Sequence, residues 1–241
     1  MNALLYTLLL MVPVVGAGLS VFVTKMSENR LKVLLAFTAA YLLALSFLHL
    51  VPEIFEGRDP KVMGLWIMAG FFIQVLLEFI SSGIEHGHAH LHGHMHKIPF
   101  AMVAGLYLHS FIEGLPLSGI YDARVNNEIF SFVAGIALHN VPIAIAFTSL
   151  LQQGHVAKGK TVFFLVLFAA ATPLGGLVGH LLQEGGANLG SLTPIFTAIV
   201  VGIFLHIATT IIFESSEKNH RYHISKLLSI IAGAALAYFL I

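Results

Sequence analysis

The sequence contains no cysteine, and it has few charged residues of either sign. Without cysteine, the chain can form neither a disulfide nor a thiolate metal site, so a bound metal must use imidazole, carboxylate, amide or hydroxyl ligands. Only 10% of the residues are charged, whereas soluble proteins have about 25%. The 12 basic residues balance the 12 acidic ones, which gives no overall attraction to nucleic acid. These deficits exclude a typical soluble domain and a nucleic-acid-binding protein.

Hydrophobic residues make up 57% of the chain, and they predict an all-α polytopic membrane protein. Eight stretches approach the roughly 20 residues that a helix needs to cross the hydrocarbon core. No polar block of domain size interrupts them, so we expect a single transmembrane domain over residues 1–241. The first stretch has no Lys or Arg in its opening ten residues, which favours a span over a cleaved signal peptide. The predicted spans are Leu4–Thr24, Leu31–Val51, Val62–Gly83, Pro99–Tyr121, Glu128–Leu151, Thr161–Leu182, Leu192–Phe213 and Ile224–Ile241.

The distribution of Lys and Arg between the loops predicts the topology. An even number of spans places both termini on one side of the membrane, and cytoplasmic loops carry the excess of basic residues. The odd-numbered loops hold Lys25, Arg30, Lys32, Lys97, Lys158, Lys160, Lys218, Arg221 and Lys226. The even-numbered loops hold only Arg58, Lys61 and Arg124. The odd loops are therefore expected in the cytoplasm, and both termini outside.

The third loop, residues 85–97, has a histidine at every second position. Such a composition cannot build a core, so we expect a flexible cytoplasmic loop. Imidazoles on a flexible chain bind Zn²⁺, Ni²⁺ or Cu²⁺; the alternative is a polar linker without a metal role. The predicted loop ligands are His86, His88, His90, His92, His94 and His96.

Two short polar motifs lie near the middle of apolar spans, His109–Gly114 on the fourth and His139–Pro142 on the fifth. A charged side chain at that depth costs at least about 2.5 kcal/mol and usually marks an ion or substrate pathway. Pro116 and Pro142 follow the polar side chains by a few residues, and each removes a backbone donor and can distort its helix.

The polar side chains of these motifs are expected to converge. His109 and Glu113 are four residues apart, which places them on one helix face with Cβ atoms about 5–6 Å apart. His109 and His139 each lie ~15 Å inside their spans, at the same depth. With Ser110 and Asn140 they offer nitrogen and oxygen ligands suited to Zn²⁺. The alternative is structural: His109 and Glu113 form an internal ion pair, and His139 and Asn140 satisfy each other.

Further His and Glu residues lie toward both membrane surfaces. Two His-xxx-Glu pairs are expected at the outer mouth, and three more residues toward the cytoplasm, so that together they form a graded transport pathway. Taken singly, each could instead be an interfacial anchor or a solvated helix cap. The pathway residues are His49, Glu53, His180 and Glu184 outside, and Glu78, His206 and Glu214 inside.

These motifs resemble the ZIP family of divalent-metal transporters, and the resemblance covers nearly the whole chain. Members have eight spans with both termini outside, a histidine-rich third loop, a His-[Ser/Asn]-x-x-Glu-Gly motif on the fourth span and a His-Asn-x-Pro motif on the fifth. The segments His49–Glu53 and Thr172–Gly175 also look like ZIP segments. The resemblance implies a ZIP-like helix bundle with a metal site between spans four and five. It implies a ligand role for His109, Ser110, Glu113, His139 and Asn140.

Two positions depart from the family pattern. Many members place a glutamate after the proline of the fifth span, where this chain has Ile143, and another before the Pro-Leu-Gly of the sixth, where it has Thr172. Both changes remove anionic ligands from what is a two-metal site in some members. A single metal ion is therefore expected here.

The function that this resemblance implies is Zn²⁺ uptake into the cytoplasm, with Fe²⁺, Mn²⁺ and Cd²⁺ as further candidate ions. The expected partners are the metal ion, the lipid bilayer and a second copy of the chain in a homodimer, without nucleic acid. The expected location is the plasma membrane or the bacterial inner membrane.

Two alternatives to this function stay open. One is an intramembrane zinc hydrolase in which His109 and His139 hold the metal and Glu113 activates a water, although no His-Glu-x-x-His motif is present. The other is a ZIP-fold metal sensor that does not transport.

Overall fold

The computed structural model of this protein describes residues 3–24, 26–81, 100–121, 127–184, 192–213 and 220–240. Within these ranges, all regular secondary structure is helical. The α-helices are α1 (Ala3–Ser20), α2 (Glu28–Leu45), α3 (Val51–Phe55), α4 (Pro60–Ser81), α5 (Phe100–Gly114), α6 (Asn127–Gln153), α7 (Lys158–Glu184), α8 (Thr193–Phe213) and α9 (His220–Leu240).

Eight helical segments in the described part of the chain are long and apolar enough to cross a membrane. They coincide with the eight predicted spans, which confirms the all-helical polytopic fold. Large apolar side chains such as Leu4 on α1, Phe72 on α4 and Phe239 on α9 are exposed on the bundle surface. This distribution suits a bundle surrounded by lipid rather than by water. The side of the membrane on which the termini lie stays a prediction.

The second span is longer than the predicted Leu31–Val51 and extends over Glu28–Phe55. α2 and α3 are joined by a π-helical turn over Ser46–Leu50, in which the Val51 N–H donates to the Ser46 carbonyl five residues back. Pro52 explains the wider turn, because a proline ring clashes with the carbonyl four residues before it in a regular α-helix. The chain accommodates the proline and continues, where the hydropathy pattern suggested an end.

The fourth span changes its winding just after its polar motif. α5 ends at Gly114, and a 3₁₀ helix runs from Leu115 to Ile120 with Pro116 in its first turn. Side-chain hydrogen bonds fix this tighter segment to α7. Gln183 Nε2 donates to Ser118 Oγ at 2.5 Å, and the Tyr121 hydroxyl donates to the Pro173 carbonyl at 2.8 Å. α6, in contrast, runs without a break through Pro142.

α5 and α7 pack at backbone contact through glycines. A Cβ on Gly114 would collide with the Thr172 carbonyl of α7, and a Cβ on Gly175 would collide with the Phe111 carbonyl of α5. Small residues at helix interfaces allow this close approach in membranes, where packing rather than water exclusion drives association. α7 therefore supports the helix that carries His109 and Glu113.

α4 and α8 form a second pair at backbone contact. A Cβ on Gly70 would meet the Ile199 carbonyl, and a Cβ on Gly202 would meet the Ile67 carbonyl. This close packing brings Glu78, in the second half of α4, next to His206 of α8.

We expect a Gly202→Ala substitution to destabilise the fold by about 1–3 kcal/mol, the usual cost of overpacking a close contact. Its methyl group must push α8 away from α4, because the obstacle is a backbone carbonyl rather than a flexible side chain. The thermal unfolding midpoint of the purified protein in detergent should fall. Gly64→Ala on α4 is the matched control, since nothing lies within 4 Å of the position that its methyl group would take. Equal midpoints for the two variants would contradict the described packing.

Candidate metal site

His109, Glu113 and His139 converge between α5 and α6. Glu113 Oε1 lies 3.0 Å from His109 Nε2 and 3.9 Å from His139 Nε2. The ligand atoms of the three residues all lie within 4.8 Å of one another. Two ligand atoms of a tetrahedral Zn²⁺ ion, each about 2.1 Å from the metal, are roughly 3.4 Å apart. The spacing of the three side chains therefore suits one divalent ion.

The convergence follows from the helical repeat and from equal depth. The single turn between His109 and Glu113 places both side chains on the face of α5 that meets α6. The two imidazole rings lie edge to face with their centroids 5.9 Å apart. The structure thus brings together the two histidines that the sequence placed at the same depth.

The site is removed from solvent and lipid. His109, Ser110, Glu113 and His139 are all 0% exposed, and Asn140 is 3% exposed. Burying such groups is costly unless their charges and hydrogen-bonding capacity are satisfied. Within the described residues, the Ser110 hydroxyl and the Asn140 side-chain oxygen have no hydrogen-bond partner, and Glu113 Oε1 faces the two imidazoles. These are oxygen atoms with lone pairs to offer, which is the chemistry that a bound cation uses.

Asn140 also contacts the carboxylate directly. Its Nδ2 donates to Glu113 Oε2 at 3.4 Å, a long hydrogen bond that leaves Oε1 directed at the two imidazoles. The purely structural alternative, an internal ion pair, accounts for the contact of His109 with Glu113 on α5. His139 Nε2 faces the same carboxylate oxygen from α6, at 3.9 Å.

Gln74 is a site residue that the sequence did not reveal. It lies on α4, is 0% exposed, and its Oε1 is 3.0 Å from His109 Nδ1. A signal was present, because Gln74 is an amide inside an apolar span and precedes Glu78 by four residues. That spacing places both on one face of α4. No local pattern shows, however, that this face meets α5.

The two positions that depart from the family pattern are both buried. Ile143 is 0% exposed and packs in an apolar cluster with Val103 and Phe147, and Thr172 is 3% exposed. Neither contributes a carboxylate. In the described ranges, His109, Glu113 and His139 form the one group of three His, Asp or Glu residues close enough to share an ion.

A second polar contact lies on α4 and α8. Glu78 Oε2 is 2.6 Å from His206 Nε2, and both side chains are partly exposed. The ring of Phe71 meets the imidazole of His206 edge to face, with centroids 4.9 Å apart. Glu78 is one turn beyond Gln74 on α4. The structure thus places a His–Glu pair one turn along α4 from Gln74, the residue of α4 that contacts His109.

The predicted outer pairs differ from each other. His180 Nε2 lies 3.6 Å from Glu184 Oε1 at the end of α7, and the carboxylate is largely exposed. His49 is half-buried on the π turn and Glu53 is exposed on α3.

Other predicted residues lie outside the described ranges. These are Glu214 and the six loop histidines His86, His88, His90, His92, His94 and His96. Their role stays a prediction from the sequence.

The chain is similar to zinc transporters over most of its length. The sequence profile of a family described as ZIP Zinc transporter matches residues 98–241. The zinc transporter ZIP13 homolog of Drosophila melanogaster is 26% identical in an alignment 278 residues long. The alignment covers 87% of this chain and 77% of the fly protein. Zinc transporter ZupT of Chlorobium luteolum is 26% identical over 247 residues, 92% of this chain and 90% of ZupT. Human zinc transporter ZIP1 is 28% identical over 136 residues, 56% of this chain and 41% of the human protein.

Proposed function

This chain belongs to the ZIP family of zinc transporters, and we propose that it carries Zn²⁺ into the cytoplasm through the site formed by His109, Glu113 and His139. As a family member it is a multi-pass membrane protein that transports a divalent metal ion. Its relatives are named as zinc transporters and not as enzymes, so a zinc hydrolase is not retained as a function.

The observation that carries the proposed site is the meeting of two imidazole nitrogens at one buried carboxylate oxygen. A proton shared by Glu113 and one imidazole would satisfy two of these three atoms. A divalent ion would satisfy all three, and we propose the Ser110 hydroxyl and the Asn140 side-chain oxygen, both buried without a hydrogen-bond partner among the described residues, as further ligands. Neutral imidazole and carboxylate are preferred ligands of Zn²⁺.

Polar groups on either side of this site support a proposed path for the ion between the two membrane surfaces. On the side predicted as cytoplasmic, Glu78 and His206 offer a carboxylate and an imidazole one turn of α4 away from Gln74. On the opposite side, His180 and Glu184 form a partly exposed pair. We propose that an ion passes from the outer pair through the central site to the inner pair. His49, Glu53 and Glu214 complete this proposed pathway, and the loop histidines receive the ion.

The proposed site holds one ion at a time. With Ile143 and Thr172 in place of acidic residues, Glu113 supplies the one carboxylate of the cluster. The mixed nitrogen and oxygen ligands also suit Fe²⁺, Mn²⁺ and Cd²⁺, which we propose as further substrates. We propose the plasma membrane or the bacterial inner membrane as the location, and a homodimer as the assembly.

Zinc flux into sealed vesicles tests this function. Purified protein is reconstituted into liposomes that contain a fluorescent zinc indicator, and zinc is added outside. We expect a rise in internal zinc that depends on the amount of protein and saturates with zinc concentration. Uptake of radioactive zinc by cells that express the chain tests the inward direction. Zinc binding without protein-dependent flux would contradict the proposal and favour a metal sensor.

A further inference from the structure

Gln74 is a buried amide on a helix that mainly faces outward. On the same helix, Leu65 and Phe72 are 59% and 61% exposed, whereas Gln74 is 0% exposed. An amide removed from water is costly unless it is hydrogen-bonded. The structure places its oxygen on the imidazole of His109. This contact joins α4 to the central cluster.

The two ring nitrogens of His109 face different residues. Nε2 faces Glu113 Oε1 at 3.0 Å, and Nδ1 faces Gln74 Oε1 at 3.0 Å. A neutral imidazole carries one proton, and the nitrogen without it can bind a metal. When Nδ1–H donates to the Gln74 oxygen, the lone pair of Nε2 points toward Glu113 and His139.

We infer that Gln74 is a positioning residue for zinc binding: its amide oxygen holds His109 in the tautomer and orientation that present Nε2 to the ion. This inference rests on the proposed role of His109 as a ligand. Outer partners of ligating histidines commonly contribute 10- to 100-fold to metal affinity or activity.

The chemistry of an amide matters to this role. A carboxylate at the same position would also accept from Nδ1–H, but it would add a negative charge and make the imidazole a stronger ligand. The ion would then bind more tightly and leave more slowly. Gln74 orients the imidazole without that charge, which suits a site that must release its ion.

Two substitutions of similar length separate positioning from packing. Gln74→Met keeps the volume and removes the acceptor, whereas Gln74→Glu keeps the acceptor and adds charge. Zinc transport kinetics are measured in liposomes for both, with protein amounts matched. For Gln74→Met we expect the apparent KM to rise at least tenfold with the maximal rate within about twofold. For Gln74→Glu we expect an unchanged or lower KM and a reduced maximal rate.

Two controls make failure of this inference distinct from failure of the proposed function. Gln183→Met also removes a hydrogen-bonded amide, but one that contacts Ser118 and Thr193, and its KM should stay at the original value. His109→Ala tests the ligand itself. A normal KM for Gln74→Met, while His109→Ala loses uptake, would overturn the inference. Full uptake by His109→Ala would overturn the proposed site instead. If Gln74→Met does not fold, the test uses Gln74→Glu alone. The inference is then overturned if Gln74→Glu leaves both the KM and the maximal rate unchanged. It is also overturned if Gln74→Glu raises the KM.

Discussion

Zinc uptake into vesicles falls at least tenfold when Glu113 is replaced by Gln, which corresponds to ~1.4 kcal/mol. The substitution keeps the shape of the side chain and removes the negative charge at the meeting point of His109 and His139. Because the site is fully buried, an ion there gains little stabilisation from water. Loss of the negative charge of Glu113 therefore weakens binding of the ion strongly. The initial rate of zinc entry, at equal amounts of reconstituted protein, measures the effect.

The control for this experiment is Glu56→Gln, which removes an exposed carboxylate just after α3. Its uptake should equal that of the unaltered chain, because water screens an exposed charge. Undiminished uptake by Glu113→Gln would show that the buried carboxylate does not carry the ion.

Zinc affinity of the central site falls at least tenfold when either His109 or His139 is replaced by Ala. Each substitution removes one of the two imidazoles that face Glu113 Oε1, and a site with fewer ligands holds the ion less tightly. Affinity is measured by competition with a chromogenic chelator. The six loop histidines are replaced by Ala in every protein of this series, so that loop binding does not obscure the central site.

His155→Asn is the matched control for the two histidine variants. His155 lies between α6 and α7 and has a φ of 54°, a left-handed conformation that Asn tolerates better than most residues. The control therefore removes an imidazole without straining the backbone, and its zinc affinity should not change. If His109→Ala and His139→Ala bind zinc as tightly as this control, the two imidazoles are not ligands.

The spans and the central triad could be predicted because both follow from local rules. A span is a run of apolar residues of fixed length, and the pairing of His109 with Glu113 follows from one helical turn. His139 could be matched to them because counting residues from the ends of two spans gives the same depth.

Other features depend on contacts between distant parts of the chain, and the sequence does not reveal them. The partnership of Gln74 with His109 joins residues 35 positions apart, and it depends on which face of α4 meets α5. The second span passes Pro52 because a π turn makes room for the ring.

The glycine contacts limit how the helices can be displaced during a transport cycle. α8 cannot slide along α4 without driving a backbone carbonyl into a helix, and the same holds for α7 and α5. Each pair therefore behaves as a stiff two-helix unit. α4 meets α5 near the metal site through the side chains of Gln74 and His109, and side chains can rotate as the backbones shift. The boundary between the two units, which passes the proposed metal site, is where we expect the helices to move relative to each other.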